Sequence, residues 1–285
     1  MADVALEAPA GRRSISWTSP LTYAIALAVG AVAVAPVIYV VLGGFRSNGQ
    51  LAANPTGLPA PWIFSNYRTV LESGDFWHQV FNSTLTALGT TAGVVILGVM
   101  ATFVLARYDF KGREGLYTLF TVGLLFPLGV AILPLYLMLR NLDLLGSLLG
   151  LIIPQVAFQL PVTIVILRPF LRAIPVEIED AAAIDGSSRV GFFWRIVLPL
   201  SRPALVTVGV LAFVASWNAY LLPLLVLSDP ATFTLPLGVQ SFSTQYSQDT
   251  AAILAFTSLA MLPALVFFTL AERRIVGGLQ GAVKG

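Results

Sequence analysis

The chain has 285 residues, of which 57% are hydrophobic and 11% charged, and its mean hydropathy is +0.85. A soluble domain carries about 25% charged residues, so this composition excludes an ordinary soluble globule and fits a polytopic membrane protein. With no cysteine, one histidine (His78) and a formal net charge of +2, it leaves no thiol nucleophile, no disulfide framework, no paired-histidine zinc site and no electrostatic case for nucleic acid.

Residues 1–20 form a polar, Ala/Pro-rich tail with Arg12 and Arg13. The apolar stretch that follows, 21–45, is longer than the 7–15 residues of a signal-peptide core, so it reads as a retained first span. Further apolar stretches lie near 81–106, 115–139, 148–170, 204–227 and 251–271. Each reaches about 20 residues, enough for a helix to cross roughly 30 Å of hydrocarbon. The expected fold class is therefore all-α, with six transmembrane helices and both termini on one side.

Segment 46–80 joins the first two spans and is rich in Pro, Asn and aromatic residues. It is expected to hold an interfacial or re-entrant segment, with His78 as a surface histidine. Asn66-Tyr67 and Asn82-Ser83 read as caps or packing groups. In the second span, Gly89 and Gly93 are spaced for close helix packing. Pro127, Pro134, Pro154, Pro161, Pro223 and Pro263 lie within or near spans, and each removes a backbone hydrogen bond. Bent helices around a pathway are expected from them.

A polar island, 175–203, separates the fourth and fifth spans. It holds Glu177, Glu179, Asp180, Asp185, Arg189, Arg195 and Arg202. Pro175 suits a helix start, and Glu177, Glu179 and Asp180 follow at the positive end of the helix dipole. Ala181, Ala182 and Ala183 favour helix. Gly186 then turns the chain, and Ser187 or Ser188 can cap a second helix. In that helix Phe192, Phe193, Ile196 and Val197 gather on one face, and Pro199 and Pro203 stop it. Such a helix pair can lie in the lipid interface or fill a groove on a partner. The absence of Lys favours the partner.

Orientation follows from the positive charges. Thirteen of the sixteen Lys and Arg fall on the segments that include both termini and the polar island. Arg46, Arg68 and Arg140 fall on the other set. Both termini and the island are therefore expected in the cytoplasm. The span centres hold no Asp, Glu, Lys, Arg or His, which speaks against an ion-coupled secondary carrier. No phosphate-binding G-x-x-x-x-G-K-[ST] occurs, so ATP would be hydrolysed by a partner. A membrane-embedded enzyme would find little chemistry here. Trp217, Asn218 and Tyr220 in span five and Gln155 and Gln159 in span four are candidate solute contacts, by aromatic face and amide. Interhelical hydrogen bonding is the competing reading.

Asp180-Ala181-Ala182-Ala183-Ile184-Asp185-Gly186, followed by Phe192, Ile196, Pro199 and Pro203, resembles the EAA loop of ABC-importer permeases. Asp180 stands where the family usually has Glu, and Ser187 where it has Ala. The ending Gly277-Gly278-Leu279-Gln280-Gly281-Ala282-Val283-Lys284-Gly285 resembles that of the second permease in maltose-type carbohydrate importers. Trp217-Asn218, Pro223-Leu224 and Thr234-Leu235-Pro236-Leu237 add to the likeness. The resemblance implies a MetI-like permease core over 81–272, a first span outside it, and a cytoplasmic tail over 273–285. It implies that Asp180, Ala181, Ala182, Asp185, Gly186, Phe192 and Phe193 serve coupling to an ATPase. It further implies a sugar substrate, a second homologous permease, two ATP-binding subunits that hold ATP and Mg²⁺, and an extracytoplasmic binding protein or lipoprotein. No cofactor or metal is expected on this chain. The expected location is a bacterial plasma membrane, in contact with lipid.

Overall fold

A computed structural model of the chain describes residues 20–243 and 248–282, the last stretch from 270 onward as backbone. Among the described residues regular structure is helical, apart from one isolated bridge between Ser243 and Gln248. The helices are α1 (Pro20–Gly43), α2 (Asn48–Ala53), α3 (Ser65–Glu72), α4 (Gly74–Arg107), α5 (Arg113–Gly123), α6 (Leu128–Asn141), α7 (Leu149–Arg172) and α8 (Val176–Ile184). They are followed by α9 (Arg189–Leu200), α10 (Arg202–Trp217), α11 (Leu221–Val226), α12 (Leu235–Gly238) and α13 (Thr250–Ala282).

Helices α1, α4, α7 and α13 are each long and apolar enough to cross a membrane. The expected third span is α5 and α6, bent by 100° at residues 124–127, where Pro127 precedes the first turn of α6. The expected fifth span is α10, a break at residues 218–220, and α11. At its other end α10 turns by 75° out of α9 at Ser201. The remaining span prolines do not break their helices. Pro134 lies inside α6, Pro154 and Pro161 inside the uninterrupted α7, and Pro263 inside α13.

The centre of the fold is α4 packed along α7, with α10 against both. Glycines set the spacing. A Cβ built at Gly89 would lie 2.8 Å from Ile152 Cδ1, one at Gly93 2.7 Å from Val156 Cγ2, and one at Gly98 2.5 Å from Thr163 Cγ2. These partners rise together in sequence, so α4 and α7 run in the same direction, as a second and a fourth span must. Peripheral α1 touches α13 and is exposed along nearly all its length.

The 46–80 segment folds as a plug over one end of this bundle. Ser47 and Gln50 form a capping box that starts α2. Arg46 is 3% exposed and donates to the carbonyls of Gln50, Pro55 and Asn54. Asn66 donates to the carbonyls of Gly44 and Arg46 at 2.9 and 2.8 Å. Tyr67 donates to the Val41 carbonyl at 2.7 Å and lies 3.0 Å from the Ser258 hydroxyl. Asn82 donates to the carbonyls of Ala231 and Phe233, and Ser83 accepts from the Leu235 amide. The two Asn-led pairs are thus the packing groups that the sequence indicates, while His78 is exposed.

Candidate functional site

The polar island forms two helices around a tight corner. Pro175 caps α8, and Glu177 and Glu179 occupy its first turn. At the other end the Ser187 amide donates to the Ala182 carbonyl at 2.8 Å and the Gly186 amide to the Ala183 carbonyl at 3.0 Å. This pair of bonds is a Schellman closure. It requires the left-handed backbone that Gly186 supplies at φ +77°. Ser188, rather than Ser187, caps α9 by accepting from the Gly191 amide at 3.1 Å. A single π-helical stretch, Phe193–Val197, lies within α9.

Burial divides the seven coupling candidates. Ala182, Phe192 and Phe193 are buried in this chain's own core, with Phe103 of α4 and Leu167 and Leu171 of α7. They hold the loop on the bundle, and their side chains are not available to a partner's cleft. Asp180, Ala181, Asp185 and Gly186 are exposed. Sequence reasoning passed over two companions on the outer surface, Ile184 at 86% exposure and Val190 at 66%. An apolar side chain that far into solvent on a charged loop was the available signal.

Ion pairs tie the same end of the bundle together. Arg107, at the end of α4, pairs with Glu179 at 2.6 Å. Glu114, at the start of α5, accepts from the buried Arg168, and Arg172 and Arg113 lie at 3.1 and 3.2 Å. The Arg168 guanidinium holds the Glu114 carboxyl below the usual carboxylate range, with the neighbouring arginine charges adding to the effect.

The five solute candidates fall at the break between α10 and α11, on two sides of it. Gln155, Gln159 and Tyr220 line a cavity of about 270 Å³ together with Leu128, Phe158 and Ala219. Trp217 and Asn218 line another, of about 430 Å³, with Pro236, Thr257 and Met261. Trp217 is 4% exposed and stacked on Phe213, and the Asn218 side chain donates to the Val214 carbonyl within its own helix end. Gln155 Oε1 accepts from Thr90 at 3.0 Å and from Ser216 at 2.5 Å, which joins α4, α7 and α10. Its Nε2 is buried without a protein partner among the described residues. Of the tail candidates, Gly277, Gly278 and Gly281 continue α13, which runs to Ala282 rather than ending at the expected boundary of the span. Lys284 lies outside the described residues. Among the described residues no cluster of His, Asp or Glu has the make-up of a metal site.

Helices long and apolar enough to cross a membrane, with a polar helical corner between the fourth and fifth spans, define a polytopic membrane protein. Residues 94–276 match the family described as binding-protein-dependent transport system inner membrane component, and the chain belongs to it. A putative ABC transporter permease from Caldicellulosiruptor sp. (strain Rt8B.4) is 36% identical over 92% of this chain and 96% of its own length. The diacetylchitobiose uptake system permease protein NgcG of Streptomyces coelicolor is 31% identical over 91% of this chain and 87% of its own. The arabinooligosaccharides transport system permease protein AraQ of Halalkalibacterium halodurans is 30% identical over 95% of this chain and 97% of its own. A chain in the crystal structure of a bacterial ABC transporter involved in the import of the acidic polysaccharide alginate superposes with a TM-score of 0.75. It is 22% identical and aligned over 89% of this chain and 95% of that one. The fold is the MetI-like permease fold. The chain is a membrane permease subunit of an ABC importer, neither an ion-coupled carrier nor an enzyme.

Proposed function

We propose that this permease forms half of the membrane pathway for a sugar or oligosaccharide and is driven through the corner at Gly186. The observation that carries the substrate class is similarity over nine-tenths of the chain to permeases named for oligosaccharide uptake. The site chemistry supports it. Solute hydroxyl groups need amide and phenol partners, and Gln159 and Tyr220 offer both donors and acceptors at one cavity that Gln155 also lines. Trp217 contributes packing, since its ring is covered by Phe213.

A second homologous permease supplies the other half of the pathway. Two ATP-binding subunits carry ATP and Mg²⁺ and receive Asp180, Ala181, Ile184, Asp185 and Gly186. An extracytoplasmic binding protein or lipoprotein delivers the solute. No cofactor or metal binds this chain. The thirteen-to-three charge asymmetry supports a cytoplasmic location for the corner and both termini in a bacterial cell. The test is reconstitution of the assembled importer in proteoliposomes, with ATP hydrolysis measured against a panel of oligosaccharides presented with the binding protein. Stimulation by one glycan class and its ATP-dependent uptake are expected. Uptake driven by an ion gradient without ATP would refute the reading.

A further inference from the structure

We propose that Arg107 and Glu179 form the brace that makes the coupling helix α8 move with the transmembrane bundle, which makes Arg107 a positioning residue for transport. The proposal rests on the reading of the 175–203 loop as the ATPase contact.

Helix α8 is weakly held by burial. Ala182 is its one buried side chain, and a methyl group cannot fix the direction of a nine-residue helix. A docked helix that pivots freely would absorb the ATPase's motion instead of passing it on. A second kind of attachment is required, and it is present at the first turn of α8. The Arg107 side chain is 7% exposed, against 27% for Glu179. Its Nε and Nη2 donate to one oxygen of Glu179 at 2.9 and 2.6 Å. Its Nη1 donates to the Ile174 carbonyl at 2.6 Å, in the turn that joins α7 to α8. Carbonyls past a helix end have no partner within the helix, so the guanidinium satisfies one of them.

One planar group therefore joins the end of α4, the exit of α7 and the start of α8. A charge-assisted contact of this kind is directional and fixes orientation as well as distance. The next residue along continues the attachment. Tyr108 lies beneath the Arg189 guanidinium, 5.1 Å from ring centre to Cζ, which ties α9 to the same point. Glu179 is thus more than an acid at a helix start, and Arg107 more than a topology signal.

The experiment uses the assembled importer in proteoliposomes and compares Arg107→Ala, Glu179→Gln and the reversed pair Arg107→Glu with Glu179→Arg. The readouts are ATPase co-purification, ATP hydrolysis and solute transported per ATP. The single variants are expected to keep the ATPase bound and its basal hydrolysis, while solute per ATP falls about two- to thirtyfold, the span seen for residues along coupling networks. The reversed pair is expected to recover part of that loss, because it restores the ion pair between α4 and α8 but not the donation to the Ile174 carbonyl. Single variants with unchanged solute per ATP, or a reversed pair no better than the singles, overturn the brace. The chain has no cysteine of its own, so Ile184→Cys gives a clean cross-linking probe of the corner. Failure of that probe to reach the ATPase in an otherwise unaltered importer overturns the docking reading, and the brace with it.

Discussion

Gly186 is where a single substitution separates backbone geometry from side-chain contact. Its φ of +77° lies in the left-handed region, and a Cβ added there would meet nothing within 4 Å in this chain. Any penalty within the permease alone is therefore conformational. For alanine it is about 1–2 kcal/mol, which shifts the population of the native corner by about 5–30-fold. A β-branched residue is placed worse in this region, and Gly186→Val should reach about 2–3 kcal/mol. Asparagine enters it readily, so Gly186→Asn should stay near neutral for the corner itself. A partner packed on the corner adds steric exclusion that tracks side-chain size. Each variant would be co-expressed with the ATPase and compared by co-purification and solute uptake. Stability of the corner should fall in the order Gly, Asn, Ala, Val, and uptake should fall further for the bulkier side chains, with Gly186→Val losing both uptake and ATPase while still inserting in the membrane. Wild-type co-purification and uptake by Gly186→Val would refute both the strained corner and its role in coupling.

Three further outcomes follow. Gly93→Ala should destabilise the purified permease by about 1–3 kcal/mol, because its Cβ would lie 2.7 Å from Val156 Cγ2. Val156→Ala in the same chain should recover part of the thermal midpoint measured in detergent, and an unchanged midpoint in Gly93→Ala would contradict the close packing of α4 on α7. At the break after α10, Gln159→Ala and Tyr220→Phe should reduce uptake with basal ATP hydrolysis intact, whereas Trp217→Ala should lower thermal stability through loss of a buried ring, by about 3–5 kcal/mol. Deletion of residues 277–285 should lower transport without preventing insertion, as checked by membrane fractionation and uptake.

The membrane spans were legible because about 20 consecutive apolar residues leave few alternatives to a crossing helix. Their bends were legible only in part, since Pro127 was named among the expected breaks but did not stand out from the other prolines. Residues 115–139 are apolar on both sides of Pro127, so hydropathy passes over a 100° turn. Proline does not rank the sites either, since Pro134, Pro154, Pro161 and Pro263 remain inside helices. A missing amide hydrogen bond in a packed bundle can be tolerated when neighbouring helices and local adjustments satisfy the freed carbonyl, and the sequence does not show those neighbours. The coupling corner was readable in detail for the opposite reason. Pro175 and Gly186 act through their own backbone and Ser188 through a local side-chain cap, so their roles survive without knowledge of the tertiary contacts.

The same distinction separates the corner's shape, which is local, from the cover of its apolar face, which is not. Periodicity showed that Phe192 and Phe193 share an apolar face, and an apolar face requires cover. It is silent on whether the cover comes from the same chain or another. Here Phe103, Leu167 and Leu171 provide it, and the loop is clamped to the ends of α4 and α7 by its own aromatic residues. Ile184, at 86% exposure beside the exposed Asp185 and Gly186, stays clear of that packing and is open to a partner. A helix pair so divided suits the proposed coupling role. Its inner side is fixed to the helices that line the pathway, its corner is locked by two backbone bonds, and its outer side is apolar enough to dock. On the proposed coupling role, force entering at Ile184 would reach α4 through Arg107 and α7 through the Ile174 carbonyl. Gln155, bonded to Thr90 of α4 and Ser216 of α10, lies farther along the same pair of helices. On the same proposal, movement at the corner would reach the cavity that Gln155 shares with Gln159 and Tyr220.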